Sequence, residues 1–195
     1  MPSLISSQRG DYRENVCLVI ANSQGKIFMG DILPSHRAEI IPPYHFQMPQ
    51  GGIEQGETVL QAAWRELKEE TGLTSSSAEF LMEKPDPLTY QFDLSHLAPD
   101  VCQEIQRLGI KGQRQHFLLF SLIDESAIRL NTFHPAEFKG YCFVPVEQAI
   151  EMVVPYKKEN YKQAFSFFQP FLEKIKKPLL TQSQRPLIPV NQDIK

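Results

Sequence analysis

The stretch from Gly51 to Leu73, GGIEQGETVLQAAWRELKEETGL, constrains this chain more than any other. A glycine-rich turn runs into a short amphipathic helix, and the helix ends in a cluster of acids. Glu66, Glu69 and Glu70 stand three and four residues apart. At ~100° per residue these steps return near the starting direction, so the three carboxylates share one side of the helix, within reach of a common point. Like charges at this spacing destabilise a helix by a few tenths of a kcal/mol. The helix C-terminus, where they sit, disfavours anions as well. Two readings fit the pattern. One is a solvated acidic helix face. The other is a set of oxygen ligands for Mg²⁺ or Mn²⁺, hard cations that reverse the sign of the interaction.

The local grammar of this helix is complete. Thr58-Val59-Leu60-Gln61 fits a capping box, with Gln61 reaching back to the cap. Leu60, Ala63, Trp64 and Leu67 recur at helical spacing and are the expected buried stripe, with the single tryptophan as core. Gly72 stands where a left-handed residue ends a helix.

Before it, Asn15–Ala21 is an apolar run of strand length. Asn22-Ser23-Gln24-Gly25 is a turn, and residues 26–31 return as the second arm of a hairpin. Residues 1–12 are polar and expected to be loose. Residues 32–45 carry three prolines and no clean period and read as an irregular loop. Phe46–Met48 is a short strand that delivers Pro49-Gln50-Gly51-Gly52 to the turn. After the helix, strands are expected at 78–82, 88–92, 115–123, 127–130 and 137–144, the last with Gly140 as a bulge. Residues 98–108 read as weakly helical. Helices are expected over 145–153, with Pro145 in the first turn, and over 158–177. The latter buries Ala164, Phe165, Phe168, Phe171, Leu172 and Ile175, and Pro170 should kink or break it. Strands, one central helix, strands again and C-terminal helices make an α+β pattern: an α/β/α sandwich around a mixed sheet. The expected division is one domain over 1–177 and a flexible tail over 178–195.

Charge and cysteine usage narrow the function. The net charge of −3 gives no global basic field, so a nucleic-acid substrate must be gripped locally. Cys17, Cys102 and Cys142 form no CxxC pair, which points to reduced thiols and away from a zinc site or a disulfide framework. His36, His45, His96 and His134 lack metal-ligand spacing. No stretch approaches ~18 apolar residues, the length of a membrane span, and the N-terminus lacks a signal-peptide core. A cytoplasmic protein with no membrane association and no obligate protein partner is expected.

Gly51, five residues, Glu57, seven residues and then Arg65-Glu66-Leu67-Lys68-Glu69-Glu70-Thr71-Gly72-Leu73 match the Nudix box, GX5EX7REUXEEXGU, at every fixed position. The chain thus resembles the Nudix hydrolases, which cleave nucleoside diphosphates linked to another moiety. Segments outside the box resemble one branch of that family, the bacterial RNA pyrophosphohydrolases and diadenosine polyphosphate hydrolases. They are Gly10–Val16 (GDYRENV), Phe46–Gly52 (FQMPQGG), Lys111–Phe117 (KGQRQHF), Glu137–Tyr141 (EFKGY) and Tyr156–Tyr161 (YKKENY). The chain departs from the branch at His116, where a tryptophan is usual, in a longer 32–45 loop, and around 85–108.

The resemblance implies the Nudix fold and Mg²⁺-dependent attack of water on phosphorus, with Mn²⁺ as an alternative ion. It assigns the metal to Glu66, Glu69 and Glu70. It gives Arg65 the task of orienting carboxylates and Glu57 that of a supporting acid. Glu69 and Glu137 join the catalytic candidates, Glu137 as a further ligand or base. Gly51 and Gly52 let backbone approach a phosphate closely. Arg13, Gln113 and Lys157 are candidates for phosphate or nucleotide contact, and Tyr156 for stacking on a base. The implied substrate is a nucleotide polyphosphate, first an RNA 5′-triphosphate end, alternatively a diadenosine polyphosphate or a nucleoside triphosphate. A non-catalytic nucleotide-binding regulator is the reading from another class; the full set of box carboxylates argues against it.

Overall fold

The computed structural model describes residues 8–9, 11–33, 44–96, 99–130 and 135–176. The strands are β1 (Gln8–Arg9), β2 (Tyr12–Ala21), β3 (Ile27–Ile32), β4 (Phe46–Gln47), β5 (Gln50–Gly52), β6 (Ala78–Glu83), β7 (Leu88–Gln91), β8 (Gly112–Leu122) and β9 (Phe138–Val144). The helices are α1 (Val59–Thr71), α2 (Pro99–Leu108), α3 (Val146–Met152) and α4 (Lys158–Ile175). Most of the expected 32–45 loop, the expected tail and His36 and His134 lie outside the described residues.

β2 is the axis of the sheet. Its residues from Asn15 to Ala21 are buried on both faces, as an unbroken apolar run requires. Cys17, Val19 and Ala21 pack with α3 and α4, including Tyr161, Phe165 and Phe168. Val16, Leu18 and Ile20 pack with α1 through Ala62, Ala63 and Leu67. The result is a sheet covered on both faces, α+β in class. β2 and β8 run parallel in register from Tyr12↔Gly112 to Ala21↔Ser121. All other pairings are antiparallel, so the sheet is mixed.

The β2–β3 hairpin opens directly after its turn: the two strands pair only at Ala21↔Ile27. Into the gap comes the 46–52 segment, with β4 on β3 at Gly30↔Gln47 and β5 on β2 at Val16↔Gly51. Leu18 N donates to Pro49 O at 2.8 Å, which ties the intervening proline to the central strand. This wedge sets the two glycines against α1. β9 closes the outer edge on β3, and the register shifts so that Gly140 faces Asp31 while Phe138 faces Ile32. The unpaired residue at that irregularity is Lys139, one before the Gly140 at which a bulge was expected.

The capping box of α1 is formed on both sides, Gln61 N to Thr58 Oγ1 at 3.2 Å and Thr58 N to Gln61 Oε1 at 2.9 Å. Gly72 ends the helix at φ 73° and donates to Lys68 O. The buried face differs from the expected stripe. Leu60 is 37% exposed, and burial falls on Ala62, Ala63, Glu66, Leu67, Glu70 and Thr71. The helix is rotated so that two acids point inward. Trp64 is half-buried and packs edge-on against Phe120.

Four further expectations are corrected. Residues 127–130 form no strand; a 3₁₀ turn capped by Asp124 spans Glu125–Ala127. Pro145 caps α3 from outside and is not in its first turn. α4 runs through Pro170 without a break, burying Tyr161, Ala164, Phe165, Phe168 and Leu172. Residues 8–9 and 12, expected to be loose, pair as β1 with the start of β2.

Candidate active site

The carboxylates of α1 meet the 46–52 wedge on one side and the residue before β9 on the other. Gly51 is where α1 comes closest: a Cβ there would lie 1.9 Å from the Glu66 carboxyl carbon. At Gly52 a Cβ would lie 2.2 Å from Arg13 Nη2. Both glycines are needed for close approach, and what approaches in this structure is the protein's own acid and base.

Arg65 is the organising cation. Its Nε and Nη2 donate to Glu57 Oε1 and Oε2 at 2.8 and 2.9 Å. Nη2 also donates to Gly52 O at 2.8 Å, and Nη1 to Glu66 Oε1 at 2.6 Å and Glu69 Oε2 at 3.3 Å. One guanidinium thus fixes three box carboxylates, Glu57, Glu66 and Glu69, and the loop carbonyl, using its planar fork of donors. The bonds from Arg65 hold the Glu57 carboxyl below its ordinary pKa. The same bonds raise that of Arg65. Glu57 therefore grips Arg65 and steadies the site through it.

Glu66 and Glu70 are buried. Burial pushes the Glu66 carboxyl up to about 7, against the pull of Arg65. Glu70 is held well above the ordinary carboxylate range, first by burial and then by Glu137 beside it. Glu70 Oε2 accepts from Gln50 N at 3.1 Å. Glu137 Oε1 accepts from Gln47 Nε2 at 2.7 Å.

Opposite the acids lies a polar and aromatic wall. Arg13 is half-buried, its pKa lowered by desolvation despite the attraction of Glu66. Lys157 is 3% exposed, with Nζ donating to Gln50 Oε1 at 3.1 Å and Gln47 Oε1 at 3.3 Å and standing 5.4 Å over the Tyr90 ring. Tyr156 lies 5.4 Å from Tyr90, ring to ring. The Tyr90 hydroxyl donates to Gln113 Oε1 at 2.6 Å. Gln115 Nε2 bridges Asn15 Oδ1 and Gln50 Oε1, each at 3.1 Å.

The residues singled out from the sequence thus fall into one neighbourhood, with Glu69 and Glu57 on the Arg65 side and Arg13, Gln113, Tyr156 and Lys157 on the wall. Gln47, Gln50, Tyr90 and Gln115 were not singled out. The signal for the glutamines was their place in a strand-like segment, where buried amides need partners. Tyr90 carried none. His116 belongs to a different cluster, its Nε2 2.9 Å from Glu14 and its Nδ1 3.1 Å from Glu83. His45 is partly buried and lies 2.7 Å from Asp31 Oδ1. A cavity of about 370 Å³ between β6 and the end of α4 contains none of the site residues. The chemistry, not the void, marks the site.

Among the described residues no three His, Cys, Asp or Glu side chains stand arranged to hold a metal ion. The expected convergence of Glu66, Glu69 and Glu70 is thus not preformed. Glu66 and Glu69 turn to Arg65, and the acid that acts on Glu70 most strongly is Glu137. The donor chemistry nevertheless fits a hard divalent cation. The groups are all carboxylates, two are buried at a cost to their ionisation, and a cation would relieve the repulsion between Glu70 and Glu137.

The model of the Nudix domain matches residues 11–165. The chain is 34% identical over 162 residues to an RNA pyrophosphohydrolase of Cereibacter sphaeroides, covering 83% of this chain and 93% of that one. It is 36% identical over 177 residues to Nudix hydrolase 27, chloroplastic, of Arabidopsis thaliana, covering 89% and 73%. Its fold resembles that of the E. coli dihydroneopterin triphosphate pyrophosphohydrolase, with a TM-score of 0.60 at 18% identity and coverage of 82% and 98%. No helix among the described residues is long and apolar enough to cross a membrane. Box, fold and likeness agree: the chain belongs to the Nudix hydrolase family, the pyrophosphohydrolases of nucleoside diphosphate-linked compounds.

Proposed function

We propose that this hydrolase acts on the 5′-triphosphate end of RNA and leaves a 5′-monophosphate. The observation that carries the reading is the juxtaposition of the buried Glu66 and Glu70 and their half-buried neighbour Glu137 with a wall bearing Arg13, Lys157, Tyr90 and Tyr156. Such a wall suits one nucleotide end: cations for phosphates, a ring for the base. Relatives at 34% identity carrying the name RNA pyrophosphohydrolase support it.

Glu66, Glu70 and Glu137, with Glu69, are the residues that would hold Mg²⁺, with Mn²⁺ as the alternative. The bound ion supplies charge neutralisation of the polyphosphate and a lowered pKa for the attacking water. The chain's own residues do the rest. Arg65, backed by Glu57, keeps Glu66 and Glu69 oriented. Glu69 and Glu137 are the candidates to take the proton of the attacking water. Arg13 and Lys157 attract the phosphates, and Gln113, held by Tyr90, lines their path. Tyr156 offers a ring for the terminal base, a contact worth roughly 1–3 kcal/mol.

The test is a panel of 5′-triphosphorylated RNA, diadenosine tetraphosphate and nucleoside triphosphates, each with Mg²⁺. Specificity constants and products are measured, with Glu70→Gln as control. The expected result is the highest constant on RNA. RNA turned over no faster than by the control, with brisk cleavage of the tetraphosphate, would transfer the site to dinucleoside polyphosphates.

A further inference from the structure

Two glutamines of the 46–52 wedge, Gln47 buried and Gln50 half-buried, stand between the wall and the acids. Gln47 is 4% exposed and on β4, opposite Gly30 of β3. Its Oε1 accepts from Lys157 Nζ at 3.3 Å, while its Nε2 donates to Glu137 Oε1 at 2.7 Å. The two ends of this amide are not interchangeable. An ammonium has only donors and must face Oε1; an ionised carboxylate has only acceptors and must face Nε2. Lys157 therefore sets which way the amide points, and the amide sets where the Glu137 carboxylate points. Lys157 is itself enclosed, 3% exposed, and also tied to Gln50 Oε1 at 3.1 Å. Gln50 in turn reaches the acids by its backbone, N to Glu70 Oε2 at 3.1 Å. One lysine thus reaches two neighbouring acids, by a side-chain route through Gln47 to Glu137 and a backbone route through Gln50 to Glu70.

We infer that Gln47 is a positioning residue for the hydrolysis. It couples the phosphate-side Lys157 to Glu137 and holds the Glu137 carboxylate in its working orientation. The inference rests on the role given to Glu137 under the proposed function. Other residues at position 47 fail in distinct ways. Leucine keeps the volume and leaves both partners without their bond. Asparagine keeps the amide but is one methylene too short to span from Lys157 to Glu137. Glutamate keeps the bond to Lys157 and sets a like charge on Glu137.

The consequence is a split between turnover and binding. A carboxylate displaced by about 1 Å can cost on the order of 100-fold in rate, whereas a group that does not touch substrate leaves ground-state binding intact. The experiment measures kcat, KM and thermal unfolding for Gln47→Leu, Gln47→Asn, Lys157→Met, Glu137→Gln and the Gln47→Leu/Lys157→Met pair. The substrate is whichever polyphosphate the enzyme turns over best. Affinity for the product nucleotide in EDTA is measured in parallel. Gln47→Leu should lower kcat at least 10-fold and change KM and product affinity less than 3-fold. Lys157→Met should weaken product binding and also lower kcat. In the double variant the kcat loss should be clearly smaller than the two single losses multiplied together, because the Gln47 route is removed twice and only the Gln50 route is removed in addition. If Gln47→Leu does not fold, Gln47→Asn decides, and its kcat should fall with KM preserved.

Several results overturn the inference. One is a Gln47 variant that folds and keeps wild-type kcat while Glu137→Gln is inactive; this leaves the proposed function standing. Another is a Gln47 effect confined to KM. A third is additive kcat losses in the double variant. Full activity in Glu137→Gln removes the role of Glu137 itself, and the inference with it.

Discussion

Replacing Glu66 by glutamine should make the metal-free protein more stable at alkaline pH while abolishing its activity. Glu66 is 8% exposed, and its carboxyl is pushed from 4.5 to about 7 by burial. An acid whose pKa is raised on folding binds its proton more tightly in the folded state. Its contribution is therefore intact below pH 4.5 and is lost as the pH climbs through 7. About 2.5 units at 1.36 kcal/mol each is about 3 kcal/mol at pH 8. Glutamine has the same shape and no charge to desolvate. For a chain of this length that corresponds to roughly 6–12 °C in Tm. The assay is thermal unfolding of both proteins in EDTA from pH 4 to pH 9. The difference should be near zero at pH 4 and grow in favour of Glu66→Gln above pH 6. Adding Mg²⁺ should then reverse the order at pH 8, because an ion bound only by the folded wild type at ~1,000 Kd adds about 4 kcal/mol. A Glu66→Gln protein that is less stable than wild type at pH 8 in EDTA, or a difference that does not change with pH, would refute the reasoning.

Gly51→Ala brings a methyl group to within 1.9 Å of the Glu66 carboxyl carbon and must displace it. Steady-state kinetics should show kcat down at least 100-fold, with the far-UV circular dichroism of the wild type. Thr58→Ala removes the side chain that accepts from Gln61 N and should lower stability by about 1 kcal/mol in denaturant unfolding. It leaves kcat within twofold, because the cap lies at the end of α1 opposite the acids.

What could be read in advance follows the range of the interactions involved. The capping box of Thr58 and Gln61 and the left-handed Gly72 close over a few residues, so their signals are local and they form as expected. The two-faced burial of β2 was legible in its unbroken apolar run. The rotation of α1 was not. Apolarity alone puts Leu60 inside, but the wedge at Gly51 draws Glu66 and Glu70 inward and turns Leu60 out. The opening of the β2–β3 hairpin was hidden for the same reason, since only the partner 46–52 segment explains it. α4 passing through Pro170 shows packing of Phe165, Phe168 and Leu172 outweighing a local breaker. In the site, the box marks Arg65 and the acids by spacing. Gln47, Gln50 and Tyr90 depend on contacts across 90, 107 and 23 residues of chain, which no local pattern reports.

The central claim is that Glu66, Glu70 and Glu137 make a site that hydrolyses a nucleotide 5′-polyphosphate with a divalent ion. The measurement that reaches it most directly is conversion of 5′-triphosphorylated RNA to 5′-monophosphate by wild type and Glu70→Gln, with Mg²⁺ and with EDTA. The account predicts conversion by the wild type with Mg²⁺ only, and by Glu70→Gln at least 100-fold more slowly at equal folding. Turnover by Glu70→Gln at the wild-type rate, or turnover by the wild type that EDTA leaves unchanged, would contradict it.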